Sequence, residues 1–125
     1  MYHKILETDE AIKDIHHISC EAYAFTRDKK SGLAFLKLYD ATAENIAIFP
    51  NGFSTTDIEY RGYVIHILPF GNYNLFYTIN DKRKKIYVLR ILYQKQNWQR
   101  ILRVDNTYHV RGRKIRIIKL VDGLT

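Results

Sequence analysis

Apolar residues recur every three or four positions over much of the first 50 residues, a spacing typical of helices. Residues 2–7 (YHKILE) precede this region and are predicted to form a short strand. The first helix is predicted to begin at Thr8 or Asp9, with an apolar stripe made of Ile12, Ile15, Ile18, Ala22 and Phe25. The polar segment 26–32, in which Gly32 suits a turn, separates it from a second helix. The stripe of that helix consists of Leu33, Leu36, Tyr39, Ala43 and Ile46. Together they predict a helical hairpin.

After Gly52 the spacing of apolar residues changes to every second position, which is typical of strands. Three strands are predicted, over residues 62–68, 73–80 and 85–93. Residues 69–72 (PFGN) and 81–84 (DKRK) are hairpin-length turns, so these strands run antiparallel. The predicted fold class is α+β in the order β-α-α-β-β-β: an antiparallel sheet with the helical hairpin packed on one face.

Arg90 interrupts the most hydrophobic of these strands, KIYVLRILY, and the amide-rich run QKQNW follows directly. Strict alternation along the three strands groups His66, Asn74, Thr78 and Arg90 on one face of the sheet. If the uniformly apolar sets pack on the helices, these four side chains look out of the opposite face. That face is then left open for a partner.

Length and composition describe one domain of an ordinary globular protein. The single cysteine, Cys20, cannot form an internal disulfide, which favours a cytoplasmic location. Acidic residues follow the N-terminus too closely for a signal peptide, and no apolar run is long enough to span a membrane. The net charge of +7 is uneven, because residues 61–125 hold 14 Lys/Arg and 3 Asp/Glu. Such a basic half favours a polyanion or an acidic protein as partner.

Three stretches resemble the RelE/ParE superfamily of bacterial type II toxins: DEAIKDIHHI, AFLKLYDATAENIAIFP and NYNLFYTINDKRKKIYVLRILYQKQNWQRIL. The third is the most specific, and its ending is closer to the ParE-like branch. The resemblance covers residues 1–103 and implies the same β-α-α-β-β-β order, followed by a short C-terminal helix. Residues 104–125 form a C-terminal extension of the same domain, which could form a hairpin about Arg111-Gly112. We predict that it adds a strand to the protein's own sheet or to that of a neighbouring copy, and a disordered basic arm is the alternative.

The resemblance implies a toxin of a plasmid-stabilisation module that a cognate antitoxin holds inactive. ParE-like toxins inhibit DNA gyrase, whereas RelE-like toxins cut mRNA on the ribosome, so the question of enzymatic activity stays open. Asn74 stands where RelE-like nucleases carry a catalytic arginine, which favours the ParE-like reading. If the chain is a nuclease, its candidate catalytic residues are Arg90, Tyr93 and Lys95.

Candidate residues for binding a target or nucleic acid are Arg61, His66, Asn74, Lys82, Arg83, Lys84, Lys85 and Trp98. Most of these residues, and Arg90 as well, also have a purely structural interpretation. Arg90 suits an ion pair with an acidic side chain or a contact with the chain's own C-terminal tail. Trp98 suits a role in holding the terminal helix on the sheet, and the 82–85 turn suits a solvated hairpin tip.

Neither a cofactor nor a metal site is predicted, because the spacing of His, Cys, Asp and Glu fits no zinc site and no phosphate-binding glycine motif is present. The sequence leaves three functions open. These are a toxin that binds gyrase, a ribosome-dependent mRNA endonuclease, and a non-toxic basic domain that binds RNA or protein. Whether the chain forms a homodimer also stays open.

Overall fold

The structure is a computed structural model that describes residues 3–104 and 107–113. In chain order these residues form β1 (Lys4–Thr8), α1 (Asp9–Thr26), α2 (Lys29–Ile48), β2 (Thr55–Tyr60), β3 (Tyr63–Phe70), β4 (Tyr73–Asn80), β5 (Lys85–Tyr93), α3 (Trp98–Val104) and β6 (Val110–Arg113). The predicted α+β class, the helical hairpin, the short C-terminal helix and the extra C-terminal strand are confirmed.

The strands of the described residues form one six-stranded sheet in the order β2-β3-β4-β5-β1-β6. Pairing is antiparallel except between β1 and β5, which run parallel with Lys4 opposite Lys85 and Glu7 opposite Val88. The sequence pattern did not predict β2, because this edge strand buries only Ile58 and therefore shows no apolar alternation. Thr56 fastens it to β3 by donating its hydroxyl to the carbonyl of Ile65 at 2.8 Å.

The helical hairpin is set by caps at the ends of its helices. The Thr8 hydroxyl accepts a hydrogen bond from the Ala11 amide at 3.0 Å, so Thr8 is the N-cap of α1. Arg27 ends α1 in the left-handed conformation with a φ of 58°, and the Asp28 carboxylate then caps the first turn of α2. The break between the helices is therefore two residues long, shorter than the predicted 26–32.

Part of the predicted helix stripes is wrong. Phe25 is 92% exposed because the last turn of α1 lies outside the core, and Leu33 is 53% exposed. The buried stripe of α2 begins at Gly32, which lies inside the helix instead of in the turn. A Cβ on Gly32 would lie 3.0 Å from the carbonyl oxygen of Ser19, so the absent side chain lets the two helices approach closely.

Both faces of the sheet carry a hydrophobic core. The first lies between the sheet and the helical hairpin, and its buried side chains include Ile15, Ile46, Leu75, Tyr77 and Val88. The second lies on the opposite face, where Ile65, Phe76 and Leu89 pack with Leu102 of α3 and with Tyr108. The face predicted to be open is therefore open only in part, because α3 and Tyr108 cover the rest of it.

The C-terminal extension is fastened to the rest of the domain at residues 108–113. Strand β6 pairs antiparallel with β1, which confirms the predicted addition of a strand to the protein's own sheet. The Asp9 amide donates to the His109 carbonyl at 2.7 Å, and the His109 amide donates to the Glu10 carboxylate at 2.9 Å. Arg111 and Gly112 lie inside β6, so the predicted hairpin about them is wrong. Residues 114–121 of that prediction lie outside the described residues.

Candidate functional site

The charge of Arg90 is bound by Asp14 of α1. Its guanidinium donates two hydrogen bonds to the Asp14 carboxylate, at 2.7 and 3.0 Å, and the Ile91 amide donates a third at 3.0 Å. Both side chains are largely buried, with 16% and 15% of their surface exposed. Burial raises the pKa of Asp14, while the hydrogen bonds from Arg90 and the Ile91 amide act in the opposite direction. Arg90 therefore joins β5 to α1, and the prediction that it faces away from both helices is wrong.

A β-bulge at Leu89 explains this error. Phe76 of β4 pairs with Arg90, but the next residue, Tyr77, pairs with Val88, so β5 holds one extra residue. As a result Val88 and Ile91 both pack in the core under the helices, although strict alternation assigns them to opposite faces. The bulge turns Arg90 towards the helix side of the sheet.

His66 also lies on the helix side, which makes its predicted outward orientation wrong. It pairs with Tyr77 across β3 and β4, and the two rings stack with centroids 4.9 Å apart. Because the second core needs apolar side chains, Ile65 and Ile67 face that core and His66 takes the helix side. Burial lowers the pKa of His66, although a hydrogen bond with the Phe53 backbone acts in the opposite direction.

We expect the lowered pKa of His66 to make the protein less stable as the pH falls from 7 to 5. The unfolded chain takes up a proton near the ordinary pKa of 6.5, whereas folded His66 resists protonation until lower pH. Urea unfolding at both pH values measures the loss. His66→Phe keeps an aromatic ring against Tyr77, so its loss of stability over this range should be smaller. An equal loss in both proteins would contradict the assignment.

Asn74 and Thr78 do lie on the face opposite the helices, as predicted, but they are buried, with 5% and 3% of their surface exposed. Trp98 packs its ring on Phe76 at a centroid distance of 5.3 Å. The geometry therefore fits the structural reading of Trp98, in which it holds α3 on the sheet.

The run QKQNW (residues 94–98) connects β5 to α3, whose first residue is Trp98. The Gln94 side chain donates to the carbonyls of Gly71 and Tyr73, and the Gln96 side chain accepts from the Tyr93 amide. Asn97 accepts from the Arg100 amide as α3 begins. These amides satisfy backbone groups at the end of the strand and the start of the helix, while Lys95 between them is exposed.

The Tyr93 hydroxyl donates to the Glu21 carboxylate at 2.7 Å. Burial raises the pKa of Tyr93, and the bond to Glu21 raises it further. Tyr93 is therefore a neutral phenol near pH 7. Of the three candidate catalytic residues, Arg90 is bound to Asp14, Tyr93 is bound to Glu21 and Lys95 lies in solvent.

The predicted basic residues gather at one end of the sheet. Strand pairing places the β2–β3 turn, which holds Arg61, beside the β4–β5 turn, which holds residues 82–84. Arg61, Lys82, Arg83 and Lys84 are exposed, and Lys85 is half-buried. Arg61 and Lys84 have φ values of 52° and 54°, in the left-handed region that tight turns use.

The sequence pattern did not predict a cleft that lies next to this basic end of the sheet. It lies on the face opposite the helices and has a volume of about 370 Å³. Its walls are Tyr60, Arg61, Tyr63, Thr78, Asn80, Tyr87, Leu89, Tyr108 and Val110. The tyrosine cleft, as we call it, had one local signal, the turn sequence YRGY at residues 60–63. Tyr87 and Tyr108 come from distant parts of the chain.

Within the described residues, no group of three His, Cys, Asp or Glu side chains is placed to hold a metal ion. None of the described helices is long and apolar enough to cross a membrane.

Residues 5–98 match the family model described as the ParE toxin of type II toxin-antitoxin system, parDE. This match covers β1 to β5 and both long helices. The chain belongs to the ParE toxin family. The resemblance to the RelE/ParE superfamily, and to its ParE-like branch, is thereby confirmed. Nearly all of α3 and the whole of β6 lie beyond the matched region of this ParE-family chain.

A solved structure also resembles this ParE-family chain: the toxin-antitoxin complex RelBE2 from Mycobacterium tuberculosis. The TM-score is 0.54 at 14% sequence identity, and the alignment covers 75% of this chain and 100% of the other. At that identity the likeness supports the fold alone. No curated protein gives a significant match to the chain.

Proposed function

We propose that this ParE-family toxin arrests bacterial growth by binding an essential macromolecule, with DNA gyrase as the target, and that it does not cut RNA. The observation that carries the proposal is the bound state of Arg90. A cation that stabilises the transition state of RNA cleavage must face the scissile phosphate, whereas the guanidinium of Arg90 is bound by Asp14 and largely buried.

The remaining chemistry supports the same proposal. Cleavage by 2′-hydroxyl attack needs a general base and a general acid within reach of the same phosphate. Asn74 carries no charge and is buried, and the Tyr93 hydroxyl already donates to Glu21. A toxin that works by binding needs no such set, and gyrase is the target that the ParE-like branch implies.

We further propose that a cognate antitoxin protein neutralises the toxin in the cytoplasm. The RelBE2 structure is a complex of a toxin with its antitoxin, and its fold resembles that of this chain. The excess of 14 Lys/Arg over 3 Asp/Glu in residues 61–125 favours an acidic protein as the partner.

Induced expression in a bacterium tests this function. We expect growth arrest accompanied by a DNA-damage response, and no cleavage of mRNA within codons. Arg90→Lys keeps the charge that pairs with Asp14, and it should still arrest growth. Co-expression of an acidic open reading frame next to the gene should restore growth. Arrest accompanied by mRNA cuts within codons would support the endonuclease reading instead.

A further inference from the structure

We propose that the tyrosine cleft binds an unpaired base of single-stranded nucleic acid, with the adjoining phosphates held by Arg61 and the basic turn at residues 82–84. This goes beyond the proposed function, because inhibition of a target protein does not require the toxin to contact nucleic acid. The proposal rests on the shape of the cleft, the aromatic rings in its walls and the charge at its rim.

The cleft has the size of a small-ligand site. Its volume of about 370 Å³ lies at the lower end of the range for such pockets, so it suits one planar group rather than a helix of a partner protein. Leu89, on the extra position of the bulge, is buried at its wall, and Thr78 supplies a hydroxyl to the same wall. An apolar wall with a few polar groups is typical of sites that hold an aromatic ring.

The walls are aromatic on several sides. Tyr60 and Tyr108 meet edge to face with ring centroids 4.9 Å apart, which fixes both rings. Tyr63, opposite Tyr60 in the strand pairing, keeps 42% of its surface exposed and is therefore free to stack on a ligand. Base stacking on aromatic side chains is the usual way in which proteins hold unpaired bases without reading their sequence.

The charge at the rim suits phosphate. The Arg61 guanidinium lies over the Tyr60 ring, 5.3 Å from its centroid, which places a cation directly at the cleft. Among the described residues, no carboxylate forms an ion pair with Arg61. The exposed cations of the turn at 82–84 lie at the same end of the sheet. A strand whose base enters the cleft can therefore run its backbone along this basic end.

The C-terminal extension completes the cleft. Tyr108 and Val110 are wall residues, and both lie beyond residue 98, where the family match ends. The contacts of His109 with Asp9 and Glu10 hold this wall in place. The wall of the cleft is therefore complete only with the extension, which lies beyond the family match.

Fluorescence anisotropy of labelled six-nucleotide DNA and RNA strands, titrated with the purified full chain, tests the proposal. We expect binding that weakens with salt, and weaker binding of a duplex of the same length, because paired bases cannot enter the cleft. The DNA and RNA arms show which of the two polymers is preferred. A duplex that binds as well as the single strand would overturn the proposal.

Two matched pairs of variants locate the binding site. Tyr63→Ala should weaken binding roughly tenfold, while Tyr63→Phe keeps the ring and should bind like the wild type. Tyr23→Ala removes a ring of similar exposure, 45%, from α1 and should have no effect. Arg61→Gln should weaken binding, whereas Arg27→Gln, at another left-handed position on the helical hairpin, should not.

Circular dichroism first confirms that each variant is folded. If Tyr63→Ala does not fold, the affinities of Tyr63→Phe, Arg61→Gln and Arg27→Gln still test the site, because only Arg61→Gln should bind more weakly than the wild type. Equal losses in Arg61→Gln and Arg27→Gln would show diffuse electrostatic binding and overturn the proposal. Wild-type affinity in folded Tyr63→Ala would do the same, and so would an absence of binding by the wild type at low salt.

Discussion

Asp14→Ala is expected to lower the free energy of unfolding by about 3 kcal/mol. The substitution leaves the guanidinium of Arg90 without the carboxylate that binds it twice, and it leaves the Ile91 amide without its acceptor. Both side chains of the pair are only about one sixth exposed, so water compensates little of the loss. Urea denaturation at pH 7 measures the change.

An exposed ion pair provides the control. Arg103 binds Asp57 at 3.1 Å, but 54% and 78% of these side chains are exposed, so Asp57→Ala should cost less than about 1 kcal/mol. The double variant Asp14→Ala/Arg90→Met should be less destabilised than the sum of its single variants, because it removes both charges together. Strictly additive losses would show that the Asp14–Arg90 contact is not what stabilises this part of the fold.

Leu102→Ala is expected to cost about 3 kcal/mol of unfolding free energy. Leu102 is fully buried and attaches α3 to the second core, so the truncation leaves a cavity between α3 and the sheet. Thermal and urea unfolding measure the loss. Val104→Ala on the same helix serves as the control, since Val104 is 74% exposed and its truncation should change stability by less than about 0.5 kcal/mol. Similar losses in both variants would mean that α3 is not anchored through Leu102.

The sequence predicts the helical hairpin and strands β3 to β5 because their signals are local. Thr8 caps α1 through the amide of Ala11, three residues away, and the apolar spacing along each element reflects its own geometry. The edge strand β2 was missed for the same reason, since it buries only one residue and leaves no pattern to detect.

The orientation of the candidate site residues depended on distant parts of the chain. Arg90 and Asp14 are 76 residues apart in sequence, and the bulge at Leu89 breaks the alternation from which the face of Arg90 was predicted. The orientation of His66 was predicted wrongly because α3 and Tyr108 form a second core. The apolar residues of β3, Ile65 and Ile67, face that core, so His66 faces the helices. Neither the bulge nor the second core can be detected from the composition of β3 and β5 or from the spacing of their apolar residues.

The most direct test of the proposed function compares two purified reactions. Gyrase supercoiling of a relaxed plasmid and translation of a defined mRNA are each carried out with increasing amounts of the toxin. We expect supercoiling to stop while the mRNA remains uncut. Cuts at defined codons that depend on the ribosome and disappear in folded Arg90→Ala, with supercoiling unaffected, would contradict it.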